Sequence, residues 1–600
     1  MERIHRMAKF VWLFPVLLTL AHAPAFGQVN LAGVWNNFPI LNEDEPERLP
    51  GPELGDYLGV PIRDAARYRA DAWDASLITL PEYQCRVHPS DYVPSFAPIR
   101  IWEEFDRDSQ VLIAIHTHHF AWGTERTIWM DGRPHPPEYA LHTSQGFSTG
   151  KWEGDVLAVT TTHLKEGWIR RNGLIRSDRA VVTEHFIRHG DNLTIMTVIR
   201  DPTYLTEPFI RTRDYVYDIG GHVGAYPCES VEEIIRPKGV IPHHLPGTNK
   251  FIDEFAPKHG IPPQAARGGA ETMYPEYRLA MRTAAVSVAP GPASQAQTQT
   301  ESPQPGIHVQ HVRGNVYMLS GAGGNITVDA GNEGVLLVDT GLSSMTDQVV
   351  AEIAKLSDKP VRYIIDTHFH ADHTGGNEKI AKLGQTIAGG DVTNLTDDAK
   401  EGAKVIAHQN VLDRMSAADG AKPASPFGML PTDTYLGTRK DIFFNDEGIR
   451  IEHPKAAHTD GDSIVFFRRS DVISTGDIFT NNGYPFLDLA HGGSIQGELD
   501  ALNQILDLVI PAKNEEAGTY IIPGHGRLCD AADVGYYRDM VTIIRDRILD
   551  MKKKGMTLDQ VQAANPTRDY DPRWGATSGF WTTKMFVAAV YESLGEKGKH

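Results

Sequence analysis

Thr367-His368-Phe369-His370-Ala371-Asp372-His373 follows directly on the strand-like run Val361-Arg362-Tyr363-Ile364-Ile365-Asp366. Four ligand-capable side chains packed this tightly, just beyond a buried strand, point to metal held at the edge of a sheet. With the backbone extended, His368 and His370 face the same way and can serve one cation. Asp372 and His373 fall at the turn into a helix containing Glu378 to Leu383, where they can be aimed at a neighbouring cation. One ion has no need of all four, whereas two ions side by side use every one.

The missing ligands must come from other loops. Ala457-His458-Thr459-Asp460-Gly461-Asp462 precedes a strand, Ser474-Thr475-Gly476-Asp477-Ile478-Phe479 follows one, and Ile521-Ile522-Pro523-Gly524-His525-Gly526 closes the last one. Sheet edges are where a layered α/β unit gathers groups distant in sequence. Asp460 and Asp462 are expected to cap their loop, and Glu378 to lie on an exposed helix face. Ser320-Gly321-Ala322-Gly323-Gly324 lacks the Lys-Ser/Thr ending of a phosphate loop and reads as a hairpin turn.

Taken in this order, His368-Phe369-His370-Ala371-Asp372-His373, His458, Gly476-Asp477 and Gly524-His525-Gly526 resemble the metallo-β-lactamase superfold over roughly 306–530, with the ligand pattern of glyoxalase II and lactonases. The resemblance implies an αββα sandwich in which His368, His370 and His458 bind a first metal and Asp372, His373 and His525 a second. Asp477 would bridge them, and Asp339 in Leu337-Val338-Asp339-Thr340-Gly341 would be the buried carboxylate that orients the ligand loops. Imidazoles with carboxylates suit Zn(II), two ions per chain. His370 stands where redox-active diiron relatives carry glutamate, which counts against dioxygen chemistry.

Zinc chemistry is polar, so a hydrolase is expected. A metal-bound hydroxide would attack an ester, lactone, thioester or amide-type acyl carbon, with Asp372 passing a proton to the leaving atom. Asp477 separates the chain from the main zinc β-lactamases, which often carry Cys or Ser there. A β-lactamase, a phosphodiesterase and a non-catalytic ligand-binding protein are the alternatives. The loop Asn481 to His491 is expected to border a groove for a small-molecule acyl substrate, with Tyr484 and His491 as candidate contacts.

The 600 residues exceed what one core serves, so two or more units are expected. Asp plus Glu outnumber Lys plus Arg by 77 to 58, a net charge of -19 that disfavours a nucleic-acid partner. A basic start, an apolar run from Phe10 to Ala21 and the small residues Ala25 and Gly27 read as a signal peptide over 1–27. Export to the periplasm or medium, with no membrane span after processing, follows from that reading. Of three cysteines, Cys85 and Cys228 are a candidate disulfide, and Cys529 is expected to be buried.

Residues 28–233 read as short β-branched and aromatic runs between turn residues, an antiparallel meander closed or nearly closed into a barrel. His116, His118 and His119 lack companion ligands and are expected to be structural. Trp122, Trp129, Trp152 and Trp168 fit either a cavity lining or an aromatic core. This unit is expected to limit access to the zinc groove or to mediate a homodimer. Residues 234–305 read as an extended segment and linker, 306–530 as the hydrolase and 531–600 as a helical extension. The two units are expected to fold separately and then dock.

Overall fold

The computed structural model describes residues 29–37, 52–92, 97–120, 124–282, 306–386, 402–418, 424–511 and 518–595. The expected signal peptide, the Ala284 to Pro305 linker and Trp122 lie outside these residues. Among the described residues, no helix is long and apolar enough to cross a membrane.

The first unit is a closed barrel of nine strands among the described residues: β1 (Gly33–Asn37), β2 (Ile99–Phe105), β3 (Leu112–His119), β4 (Thr124–Trp129), β5 (Phe147–Glu153), β6 (Val156–Thr162), β9 (Val181–His189), β10 (Asn192–Arg200) and β11 (Phe209–Asp218). A hairpin of β7 (Gly167–Arg170) and β8 (Leu174–Arg176) stands apart from the wall. Period-2 alternation turns Ile115, Ile128, Leu157, Phe186, Ile195 and Tyr215 into one core cluster with Trp35. β1 closes the barrel by pairing with both β2 and β11. The wall is not a pure antiparallel meander, because β4 and β5 pair in parallel through Ile128 and Ser148. A disulfide joins Cys85 to Cys228, with Cα atoms 5.6 Å apart.

The expectation of an extended segment from 234 onward is corrected over 251–282. Short helices at Phe255–Lys258, Pro263–Ala266 and Pro275–Arg282 occur there. Phe255, Ala256 and Ala266 bury themselves against Leu58 and Ile261, and Arg67 Nε donates to the Arg267 carbonyl. Apolar side chains between the prolines make this a packed cap on the barrel unit.

The second unit stacks two sheets. The first runs β12 (His308–Arg313), β13 (Val316–Ser320), β14 (Ile326–Gly331), β15 (Gly334–Val338), β16 (Val361–Ile365), β17 (Lys404–His408), β18 (Asp433–Tyr435). The second runs β19 (Arg439–Phe444), β20 (Glu447–Glu452), β21 (Ile464–Phe467), β22 (Val472–Ser474), β23 (Tyr520–Ile522), β24 (Cys529–Asp530). Alternation divides β15 between two cores. Leu336 and Val338 meet Ile451, Val465 and Phe467 between the sheets, while Val335 and Leu337 meet Val349 and Ile353 of the outer helix Thr346–Leu356. Ile473 and Ile521 pack outward on the helices Ile495–Leu508, Ala531–Lys553 and Thr583–Ser593. The layers are therefore αββα, with the C-terminal helices as part of the outer layer.

The units meet across buried charge. Lys165 of the barrel unit reaches Asp530 at 3.0 Å and Asp533 at 2.6 Å, and Arg527 holds Asp533 at 2.8 Å. Asp178 of the barrel unit pairs with Arg573 at 2.7 Å. The Tyr139 carbonyl accepts from the Leu528 N–H at 3.0 Å, beside the last strand of the second sheet.

Candidate metal centre

Each ligand loop leaves the same edge of the sandwich. β15 and β16 are parallel with Val338 opposite Ile365, and β22 and β23 are parallel with Ser474 opposite Ile522, so four strands discharge their C-terminal loops together. Asp339 adopts a left-handed backbone, φ 65°, at the end of β15. It accepts from the Thr367 N–H and hydroxyl, both at 2.8 Å, and from His373 Nδ1 at 2.8 Å.

These bonds fix tautomers. The Thr367 hydroxyl is spent on Asp339, so its oxygen accepts from His368 Nδ1 at 3.0 Å and leaves His368 Nε2 bare. His458 Nδ1 donates to the Phe486 carbonyl at 2.6 Å, leaving Nε2 bare. His370 Nε2 donates to Asp488 at 3.0 Å, leaving Nδ1 bare. The three bare nitrogens converge, with His370 Nδ1 3.1 Å from His368 Nε2 and 3.0 Å from His458 Nε2. Burial, then the neighbouring imidazoles, holds His368 well below the usual histidine range. Burial likewise leads for His458, which falls to about 4 even with Asp477 opposing.

Asp372, His373 and His525 form the adjoining pocket. His525 Nε2 lies 3.2 Å from Asp372 Oδ2 and 3.5 Å from Asp477 Oδ1, and His373 Nε2 lies 3.2 Å from the same Asp477 oxygen. The other Asp477 oxygen lies 3.8 Å from His458 Nε2, so this carboxylate divides its atoms between the pockets. Burial alone would lower the His525 pKa, but Asp477 and Asp372 lift it to about 9. Burial is likewise outweighed at His373, raised by Asp477 and Asp339.

The residues fit a pair of cations. Converging lone pairs repel unless positive charge sits among them, and His373 Nε2 and Asp477 Oδ1 are buried with no hydrogen-bond partner. Close approach explains two glycines. A Cβ on Gly324 would overlap the His373 ring, and one on Gly524 would overlap Asp477 Oδ1.

All seven expected ligand residues are thus brought together, with Asp339 directly behind them. Tyr484 is not, and its expected role as a substrate contact is corrected. It is 5% exposed, stacks on Phe586 and donates to Asp571 at 2.9 Å, so the C-terminal helices have captured it. His491 borders the site one layer back, sharing Asp488 at 2.7 Å and packing against Phe369. Asp488 itself is the residue sequence reasoning missed. Its only sequence signal was its place in the Asn481 to His491 loop.

Elsewhere, Asp462 accepts from Thr459 and Asp460 pairs with Arg414, as loop caps do. Glu378 pairs with Lys382 on its helix. Cys529 is buried. His116 bonds Glu104 and stacks on Trp102, and burial drives the His119 pKa to about 3. Trp152 packs on the barrel core, Trp129 lies beneath Arg133, and Trp168 borders a cavity.

Layer order and site define the class: this unit has the metallo-β-lactamase fold, and residues 319–525 match the Metallo-beta-lactamase superfamily. Similar proteins include a "Linear primary-alkylsulfatase" of Pseudomonas sp. (strain ATCC 19151), 25% identical over 261 residues, 38% of this chain and 47% of that protein. Another is a "2,4-dinitroanisole O-demethylase subunit alpha" of Nocardioides sp. (strain JS1661), 27% identical over 184 residues, 30% and 49% of the two chains. The chain thus spans less than half the length of these curated relatives. Among solved structures, the stereoselective inverting sec-alkylsulfatase Pisa1 from Pseudomonas sp. is similar at TM-score 0.36 and 16% identity, over 48% of this chain and 50% of that one.

Proposed function

We propose that the chain is an exported dinuclear zinc hydrolase that cleaves an acyl bond in an uncharged, partly apolar small molecule. One observation carries the reading: three bare imidazole nitrogens converge within 4.8 Å of one another and of Asp477, one of whose oxygens lies toward His458 while the other lies toward His373 and His525. His368, His370 and His458 would hold one ion, Asp372, His373 and His525 the other, with Asp477 shared. When bound, paired Lewis acids bring the pKa of a water toward neutrality and draw charge from the scissile bond.

The chain's own side chains do the rest. Asp339, Asp488 and the Phe486 carbonyl fix the ring orientations, so the donors need no reorganisation during turnover. Asp372, whose side chain is 35% exposed, is the ligand carboxylate most open to substrate. Its position suits proton delivery to the leaving atom. Phe486 packs against His370 and His458 and is backed by Phe580 and Trp581, giving an apolar wall beside the donors. Arginines near the ligand loops are neutralised: Arg527 by Asp533, Arg573 by Asp178, Arg414 by Asp460. That favours a neutral substrate over a polyanion.

The activities for which the relatives are named support a second reading, cleavage of an alkyl sulfate or aryl ether by the same centre. Metal analysis together with a panel of aryl esters, lactones, thioesters, β-lactams, alkyl sulfates, aryl methyl ethers and phosphodiesters separates the readings. The acyl proposal requires two zinc ions per chain and a kcat/KM for an ester or lactone well above that for the others. Export is supported by the N-terminal sequence and by the Cys85–Cys228 disulfide.

A further inference from the structure

Where the barrel unit meets the helix Ala531–Lys553 lies a partly open cavity of about 110 Å³. Its walls include Trp73, Tyr83, Trp168, Tyr536, Ile543 and Tyr570. Two donors on this lining, Trp73 Nε1 and Arg86 Nη1, are buried with no hydrogen-bond partner. Arg86 Nε and Nη2 donate to the Glu82 carbonyl at 3.1 and 2.7 Å, and its guanidinium lies over the Tyr83 and Tyr536 rings. This cation thus meets a carbonyl, two π faces and the Tyr536 side chain, with the Asp530 carboxylate acting on it only from beyond ion-pair distance.

The acids of the lining already have cations. Glu166 holds Arg69 at 2.5 Å, Asp539 holds Arg538 at 2.7 Å, and Asp569 holds Arg547 at 2.7 Å. The Tyr83 hydroxyl is likewise committed to Asp539 at 2.6 Å. An apolar chamber with a fixed positive charge and two unused donors is complemented by a small molecule with an apolar body and an anionic, acceptor-only head.

We propose that this cavity binds a small organic carboxylate, whose oxygens accept from Arg86 Nη1 and Trp73 Nε1 while its hydrocarbon part packs on the aromatic walls. The volume is somewhat below the roughly 150 Å³ of a cavity that takes benzene, so about six heavy atoms, the size of butyrate, is the upper limit for the ligand. A wider cleft of about 1570 Å³ shares Arg86, Val87 and Ser144 with the cavity and gives it an entrance. Because the two units supply opposite walls, the bound acid ties them together. The site is independent of the metal centre and of the reaction catalysed there.

Full-length protein with indole-15N tryptophan, titrated with butyrate and with butyramide and 1-butanol as uncharged controls, tests this. One indole resonance, the one missing from Trp73→Phe, should move with butyrate and stay still with both controls. Butyrate should bind at least fivefold more weakly to Trp73→Phe and to Arg86→Met. Ile543→Phe fills the cavity from the other wall and should abolish the effect, which keeps the test decisive if Trp73→Phe does not fold. Carboxylates also ligate metals. Butyrate binding that survives all the variants, or a Trp73 resonance that never moves because only water fills the cavity, overturns the proposal.

Discussion

Asp488 Oδ2 lies 3.0 Å from His370 Nε2, and this contact decides which nitrogen of His370 faces His368 and His458. The same oxygen lies 2.7 Å from His491 Nδ1, so a single carboxylate pins two rings. Asp488→Asn should therefore lower zinc affinity about 10- to 100-fold, the usual scale for a group that orients a ligand. Competition with a chelator reads this directly. Unchanged affinity would remove Asp488 from the site.

Asp477 is the group whose loss should separate one ion from two. Asp477→Asn keeps the shape of the side chain but takes away the charge that lifts His373 and His525. Elemental analysis should show the zinc content falling toward one per chain or below, with kcat/KM down by about 10³ or more. Two tightly held ions in the variant would contradict the bridging role.

Tyr484 supports the fold without touching the reaction. Tyr484→Phe loses the bond to Asp571 but keeps the stacking on Phe586. Stability should fall by roughly 1 kcal/mol, while kcat/KM stays within about threefold, a difference of under about 0.7 kcal/mol in barrier. A large kinetic loss without a stability change would restore the residue to the substrate groove.

Glu498 makes stability depend on pH. It is fully buried in the helix Ile495–Leu508 with neither oxygen bonded, and burial, then Asp462 and Asp477, hold its pKa well above the usual 4.5. The fold keeps this carboxyl protonated while the unfolded chain releases the proton, so stability declines as pH rises from about 4.5 toward the folded-state value. Glu498→Gln should flatten that decline and gain about 1 to 2 kcal/mol at pH 7.5. Parallel denaturation curves for both proteins across pH 5 to about 8 would rule this out.

The metal centre was legible because its information is local. His368 to His373 sit within one turn of chain, and Asp477 and His525 each follow a short apolar strand, so spacing alone places them at a sheet edge. Asp488 and Tyr484 belong to one loop with one composition, and what separates them is packing from Phe586 and Asp571, far along the chain. In the barrel, β9 and β10 announce themselves around Gly190-Asp191, whereas β5 (Phe147–Glu153) carries Gly150 and Lys151 at its centre and hides its period. The cap at 251–282 was masked by its prolines, although Phe255 and Ala266 find a core.

The seam between the units has a consequence for how the protein comes apart. Lys165, Arg527 and Asp533 are buried in it and Asp178 and Arg573 are half-buried, and pulling the barrel away would leave Lys165 and Asp178 facing solvent while their former partners stayed behind uncompensated. A sequence that reads as two separately folding modules should consequently melt as one cooperative body. Calorimetry should record a single endotherm, and proteolytic cutting between 283 and 305 should yield a nicked complex that survives gel filtration.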